Sequence, residues 1–220
     1  MKRVVITGMY RPYEGPFDSD LDVWGVNSTY KIQEGLTRLY FMDPLITRQP
    51  EFIDDVNKLD IDVFAQRHYD EIPRSIEFPL YDVMRRFYGY SRTEEQLREM
   101  GYFTSTIAYM LAHAGYAGYE EVTIHRILAL PPSIEYAQQK SCLDYWVGRL
   151  AGMGVNVRIS SDSNIAKPMP WESGLYGYYK PDDTARVAAQ TVTSAVRYAA
   201  ANRGRWMEEA EVVDRKNSAA

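Results

Sequence analysis

Apolar residues along this chain gather in short runs separated by amphipathic stretches. Val4–Thr7 is a buried-type run that stops at Gly8, and the segment MYRPYEGPFDSD after it is rich in turn formers. DVWGV over Asp22–Val26 predicts the next strand, with Asn27-Ser28-Thr29 where a helix would start. Arg38-Leu-Tyr-Phe-Met42 is a third run, ended by Asp43-Pro44; a helix follows over about 50–58, and 61–65 alternates toward a fourth strand. Residues 69–80 hold Pro73 and Pro79 and read as a surface loop. A short helix is expected over 81–88, and Thr93 caps another that runs to Met100. Ile107, Met110, Leu111 and Ala114 line one face of a helix over 104–115, and a strand over 121–127 follows it. Pro131-Pro132 enforce a loop, the longest central helix lies within 133–153, and 155–159 is a further strand. Residues 182–212 are Ala-rich, with Val187, Val192, Val196 and Trp206 interspersed, and read as a long helix that packs on the core or on another subunit.

Strands alternating with helices predict an α/β fold: a Rossmann-like, mostly parallel sheet with helices on both faces, plus a C-terminal helical extension. The expected division is a nucleotide-binding domain over 1–180 and an appendage over 181–220. In such sheets ligands bind outside the carboxyl ends of the strands, at a topological switch point. Gly8, Asn27, Asp43-Pro44 and the 126–136 loop fall at those ends.

Composition narrows the partners. A net charge of −5 argues against a general electrostatic grip on nucleic acid. Eighteen tyrosines supply stacking surface for bases or sugars, or for a subunit contact. Tyr176, Tyr178 and Tyr179 with Trp171 suit a stacking lid or a patch that docks the C-terminal helix. The single Cys142 excludes an internal disulfide and points to a reducing, cytoplasmic setting; inside a helix it reads as packing. The opening MKRVVITG reads as a first strand instead of a signal peptide, and no run reaches the length of a membrane span.

The strongest candidate chemistry lies at the start of the 104–115 helix. Thr104, Ser105 and Thr106 bring hydroxyls to a place where backbone N–H groups and the positive end of a helix dipole meet, which suits a phosphate. Gly8 follows the first strand without a G-x-G-x-x-G fingerprint, so a nicotinamide cofactor is not expected. Asn27 offers donor and acceptor to a base edge or ribose, or simply caps the next turn. His68, His113 and His125 lack metal-ligand spacing, and no metal site is expected on them. His125 reads as a strand histidine with its hydrogen bond satisfied, the alternative being a general base. Glu135 and Tyr136 form a polar pair near the crevice, suited to acid–base work or, for Glu135, to the first turn of a helix.

The order VVITG, DVWGVNSTY, RLYFMDP, YFTSTIAYMLAHAGYAGYEEVTI and GRLAGMGVNVRISSDSNI resembles a set of Rossmann-like proteins. The set comprises bacterial family 42 sialyltransferases, archaeal-type 6-hydroxymethylpterin diphosphokinases and a group of phage proteins to which EYAQQKSCLDYWVGRLAGMGV is most similar. The resemblance covers about residues 2–178. It implies a nucleotide or nucleotide sugar as ligand, held at positions matching Gly8, Asn27, Thr104 and Ser105. It implies a phage-type glycosyltransferase whose acceptor is a nucleobase in DNA, a glycan or a small metabolite, working in the host cytoplasm. Where the set carries a strand-end G-[IV]-D, this chain has Arg126, Ile127 and Leu128, and the set's downstream catalytic histidine has no match in 129–150. Arg126 would then place a fixed positive charge by the phosphates, with Glu135 or Tyr136 as acid–base. Loss of the acid equally suits a catalytically silent relative that sequesters a nucleotide signal or a host factor. Pyrophosphoryl transfer from ATP is the remaining alternative, weakened by Leu128 in place of an acidic metal ligand.

Overall fold

A computed structural model describes residues 1–9, 17–129 and 134–168, with side chains at all of these except 134–137. It shows a seven-stranded, all-parallel sheet in the order β5-β4-β3-β2-β1-β6-β7. The strands are β1 (Arg3–Thr7), β2 (Asp22–Val26), β3 (Arg38–Tyr40), β4 (Asp62–Ala65), β5 (Ser75–Glu77), β6 (Glu121–His125) and β7 (Asn156–Ile159). The helices are α1 (Pro50–Asn57), α2 (Leu80–Tyr88), α3 (Glu94–Met100), α4 (Thr106–Tyr116) and α5 (Ile134–Gly152). The Rossmann-like expectation is met.

Two cores cover the two faces. Val4, Ile6, Trp24, Val26, Tyr40, Val122 and Ile124 pack with α2, α4 and α5 on one side. Leu39, Phe41, Val63 and Ala65 pack with Phe52 and Val56 of α1 on the other. The period-two alternation within Tyr40-Phe41 and Val63-Phe64 sends neighbours to opposite cores, as a pleated strand requires. Central strands β1 and β2 are buried almost throughout, which is why their sequences read as continuous apolar runs.

Three details differ from expectation. The region after Asn27 forms one 3-10 turn, Thr29–Lys31, instead of a helix, because Thr29 is buried and its hydroxyl is engaged with Val26. The loop expected over 69–80 contains edge strand β5; Ser75-Ile-Glu77 is too short and polar to announce itself. The strand expected over 121–127 ends at His125, where Arg126 adopts a left-handed backbone (φ 53°). A compact unit, Met1–Ala129 with Gln138–Ala166, carries the whole sheet. The long helix over 182–212, the aromatic cluster at 171–179 and the boundary near 180 lie outside the described residues. Among the described residues no helix is long and apolar enough to cross a membrane.

Candidate functional site

Strand β1 lies between β2 and β6. From β1 the chain winds outward through β2 to β5, then returns through α4 to place β6 on the other side of β1. The direction of winding reverses between β1 and β6, and the carboxyl ends of these two strands are the position at which such sheets take a ligand.

At that point the backbone is drawn tight. The Gly8 amide donates to the His125 carbonyl at 2.9 Å. A Cβ on Gly8 would stand 2.3 Å from the Arg126 carbonyl oxygen, so only glycine fits without a backbone shift. Arg126 is 3% exposed, and its Nη2 donates to Gln33 Oε1 at 2.7 Å. Its guanidinium thus links the end of β6 to the segment that follows β2. Gly8 and Arg126 are therefore adjacent, and the arginine's charge is buried and engaged with Gln33.

Asn27 follows β2 with a left-handed backbone (φ 53°). Its Oδ1 accepts from Arg48 Nη2 at 2.8 Å; Arg48 also pairs with Asp43 and lies over the Phe52 ring of α1. Thr104 is exposed, and Ser105 is the residue just before α4. The Ser105 side chain makes no capping hydrogen bond, and its Oγ is a buried atom without a partner. Asn27 is drawn toward the α1 face, whereas Ser105 opens a helix on the other face. Glu135 and Tyr136 fall in the first turn of α5, and their side chains lie outside the described residues.

The residues after β6 are held by side chains that take the place of a strand partner. Ser163 Oγ accepts from the Ile127 amide at 2.9 Å. Asn164 accepts from the Ala129 amide at 2.9 Å and donates to the Ala129 carbonyl at 3.0 Å. Asp162 accepts from the Arg126 amide at 3.4 Å and from the Ser160 hydroxyl. The SSDSN motif therefore fixes the chain leaving β6, from Arg126 to Ala129.

His125 departs from expectation: its Nε2 is buried and has no hydrogen-bond partner among the described residues. The nearest carboxylate oxygen, Asp162 Oδ2, is 3.9 Å away. Burial depresses the imidazole pKa and nearby Arg126 adds to this, while Asp162 opposes them. Asp162 itself lies below the usual carboxylate range: its partial burial pushes upward, but the Ser160 hydroxyl and His125 outweigh it. Thr7, the register partner of His125 on β1, is fully buried, and its Oγ1 also lacks a partner. A buried polar atom without a partner costs about 1–3 kcal/mol, so two of them side by side mark this corner of the sheet. Sequence reading missed Thr7 and Asp162; the available signal was a hydroxyl ending an otherwise apolar strand.

The other histidines are structural. His113 Nδ1 bonds the Tyr40 hydroxyl at 2.8 Å, and burial, with Arg38 and Lys2 adding to it, lowers its pKa to about 4. His68 Nδ1 lies 2.8 Å from the Ser75 carbonyl. Cys142 is buried with its Sγ 3.2 Å from the Tyr102 carbonyl, as a packing residue. Among the described residues no group of three or more His, Cys, Asp or Glu could hold a metal ion. A hollow of about 440 Å³ between α2 and α5 is lined by Arg86, Phe87, Gly148, Arg149, Gly152 and Met153, with no carboxylate or nucleophile among them, and it is set apart from the strand ends.

An all-parallel α/β sheet with a switch point at β1 and β6 defines the structural class. Comparison with known family models, curated proteins and solved structures finds no match to this chain.

Proposed function

We propose that this protein binds a nucleotide or nucleotide sugar at the β1–β6 crevice and acts as a transferase, in its most concrete form a glycosyltransferase resembling the family 42 sialyltransferases. The carrying observation is the reversal of winding between β1 and β6, with Gly8 at the carboxyl end of β1 packed so closely on the Arg126 carbonyl that no Cβ fits there. The uncommitted Ser105 hydroxyl at the start of an 11-residue helix supports it, since hydroxyl, backbone N–H groups and dipole all suit an anion. In this reading Gly8, Thr104 and Ser105 attend the phosphates and Asn27 the nucleoside, the ligand lying across the sheet edge to reach both faces. Arg126 acts through its field instead of by direct contact. Positioning and charge stabilisation supply most of the rate. Glu135 and Tyr136 remain the acid–base candidates, and the acceptor is a nucleobase in DNA, a glycan or a small metabolite.

A thermal-shift screen tests the reading. A cytidine or other nucleoside phosphate at ten times its Kd adds about 1.4 kcal/mol of stability and raises Tm by a few degrees, about 2–4 °C. Absence of any shift across the nucleoside phosphates at millimolar concentration overturns it.

The engagement of Arg126 with Gln33 favours a second reading. A guanidinium so committed is poorly placed to assist a leaving phosphate, so the protein would bind and sequester a nucleotide signal, or a host factor, without turning anything over. Incubation with nucleotide sugars separates the two: released nucleotide selects the transferase, tight binding without release selects the binder.

A further inference from the structure

We infer that Thr7, His125 and Asp162 form a recognition site for a sugar-type hydroxyl at the β1–β6 crevice, on the face of the sheet opposite α4. This rests on the nucleotide reading only for the choice of its first probe.

Thr7 and His125 are register partners in adjacent parallel strands, so their side chains leave the same face about 4.8 Å apart. Their neighbours Ile6 and Ile124 belong to the core on the α4 side, which places Thr7 and His125 on the other. Both present a buried polar atom with no partner among the described residues, Oγ1 and Nε2. In folded proteins such atoms are nearly always paired, and here two exceptions are adjacent.

The third member sets the ligand class. Asp162 Oδ2 and His125 Nε2 are 3.9 Å apart, too far for a direct hydrogen bond but close enough for one oxygen to reach both. The Asp162 carboxylate opposes an anion, so a phosphate oxygen does not suit this position. The buried Arg126 guanidinium close by opposes a cation. A hydroxyl is neutral, donates to the carboxylate and accepts from, or donates to, the imidazole, with the Thr7 hydroxyl as a further partner. The His125 and Asp162 side chains are 25% and 29% exposed while Thr7 and the two partnerless atoms are buried, so the hydroxyl would enter from the His125–Asp162 side. The hydroxyl has two sources in the proposed ligand, the ribose of a nucleotide and the sugar of a donor or acceptor.

The experiment compares wild type, Thr7→Val and Asp162→Asn by calorimetric titration with CMP and with its 2′,3′-dideoxy analogue. The same proteins are then examined with glucose, galactose and N-acetylglucosamine by saturation-transfer NMR. If the ribose is the source, the analogue binds wild type about tenfold more weakly than CMP, and both variants bind the two ligands alike. If a free sugar is the source, wild type gives a saturation-transfer signal that Asp162→Asn removes. Thr7→Val provides the internal control: the chain should become more stable in urea while losing ligand affinity, since valine removes a partnerless hydroxyl at nearly constant volume. Unchanged CMP and analogue affinities in both variants, together with no sugar signal in wild type, overturn the inference. Failure of every nucleotide to bind overturns the nucleotide reading instead, and the sugar titration then decides the site alone.

Discussion

His113 is packed against Trp24, Phe64 and Phe78 and bonded to the Tyr40 hydroxyl. Its folded pKa, about 4, lies below the ordinary value of 6.5. Between those values the unfolded chain takes up a proton that the folded chain refuses, so acid destabilises the fold in that window. The contribution is fully present above pH 6.5 and shrinks as pH falls toward 4. It should cost about 2 kcal/mol by pH 5. Urea titrations at pH 7 and pH 5 measure it, and His113→Gln should flatten this part of the slope. Gly8 makes a separate prediction. Gly8→Ala forces a Cβ against the Arg126 carbonyl, a backbone atom that cannot rotate away. Overpacking of this kind costs about 1–3 kcal/mol, readable as a lower urea midpoint at unchanged m-value. A midpoint equal to wild type would mean that β1 and β6 separate more easily than their hydrogen bond indicates.

At the scale of elements, the best-read pieces are those whose local signal and tertiary role agree. Thr93 was legible as a cap, and it forms a full capping box: its hydroxyl accepts from the Gln96 amide at 3.3 Å while Gln96 Oε1 accepts from the Thr93 amide at 3.0 Å. Thr93→Ala should lower stability by about 1 kcal/mol, and Thr93→Ser should restore most of it, both measured by thermal unfolding. Strands β1 and β2 were legible because burial on both faces leaves continuous apolar runs, and β6 because Val122 and Ile124 alternate with polar residues. β5 was not, because an edge strand exposes one side: Ile76 is 38% exposed, and Pro73 and Pro79 crowd its ends. The candidate site was half legible. Gly8 and the segment starting at Arg126 could both be assigned to strand ends, but that β1 and β6 are neighbours, and in which register, is shown only by the structure. The orphaned state of Thr7 and His125 could not, because a missing partner is a property of three-dimensional surroundings that no spacing encodes. Nor could sequence show that Arg48 and Gln33 would claim the side chains of Asn27 and Arg126.

For the whole molecule, the strand order puts β1 and β2 deep in the sheet and β5 and β7 at its rims. Native-state hydrogen exchange should follow that order. The amides of Val4–Ile6 should exchange only through global opening, and those of β5 and the outer side of β7 many orders faster. Equal protection at rim and centre would indicate that the edges are covered more firmly than their partly exposed side chains show. β7 is nonetheless tied to its neighbour: Arg158 pairs with Glu121 at 3.0 Å, and Asn156 Nδ2 donates to the same carboxylate at 2.7 Å. Glu121 is 5% exposed and ties β6 to β7 through two side chains of β7, so Glu121→Ala removes both ties at once and should loosen β7 preferentially.

Asn164 holds both the amide and the carbonyl of Ala129. A planar carboxamide is in effect a one-residue counterfeit of a neighbouring chain, matching donor to acceptor where β6 has run out of strand partner among the described residues. The last of the three ties that steer the chain away from β6 is therefore written in one side chain. Replacement by aspartate would keep the outline but set a negative oxygen against the Ala129 carbonyl, releasing the chain just beyond the crevice while the seven strands stay zipped.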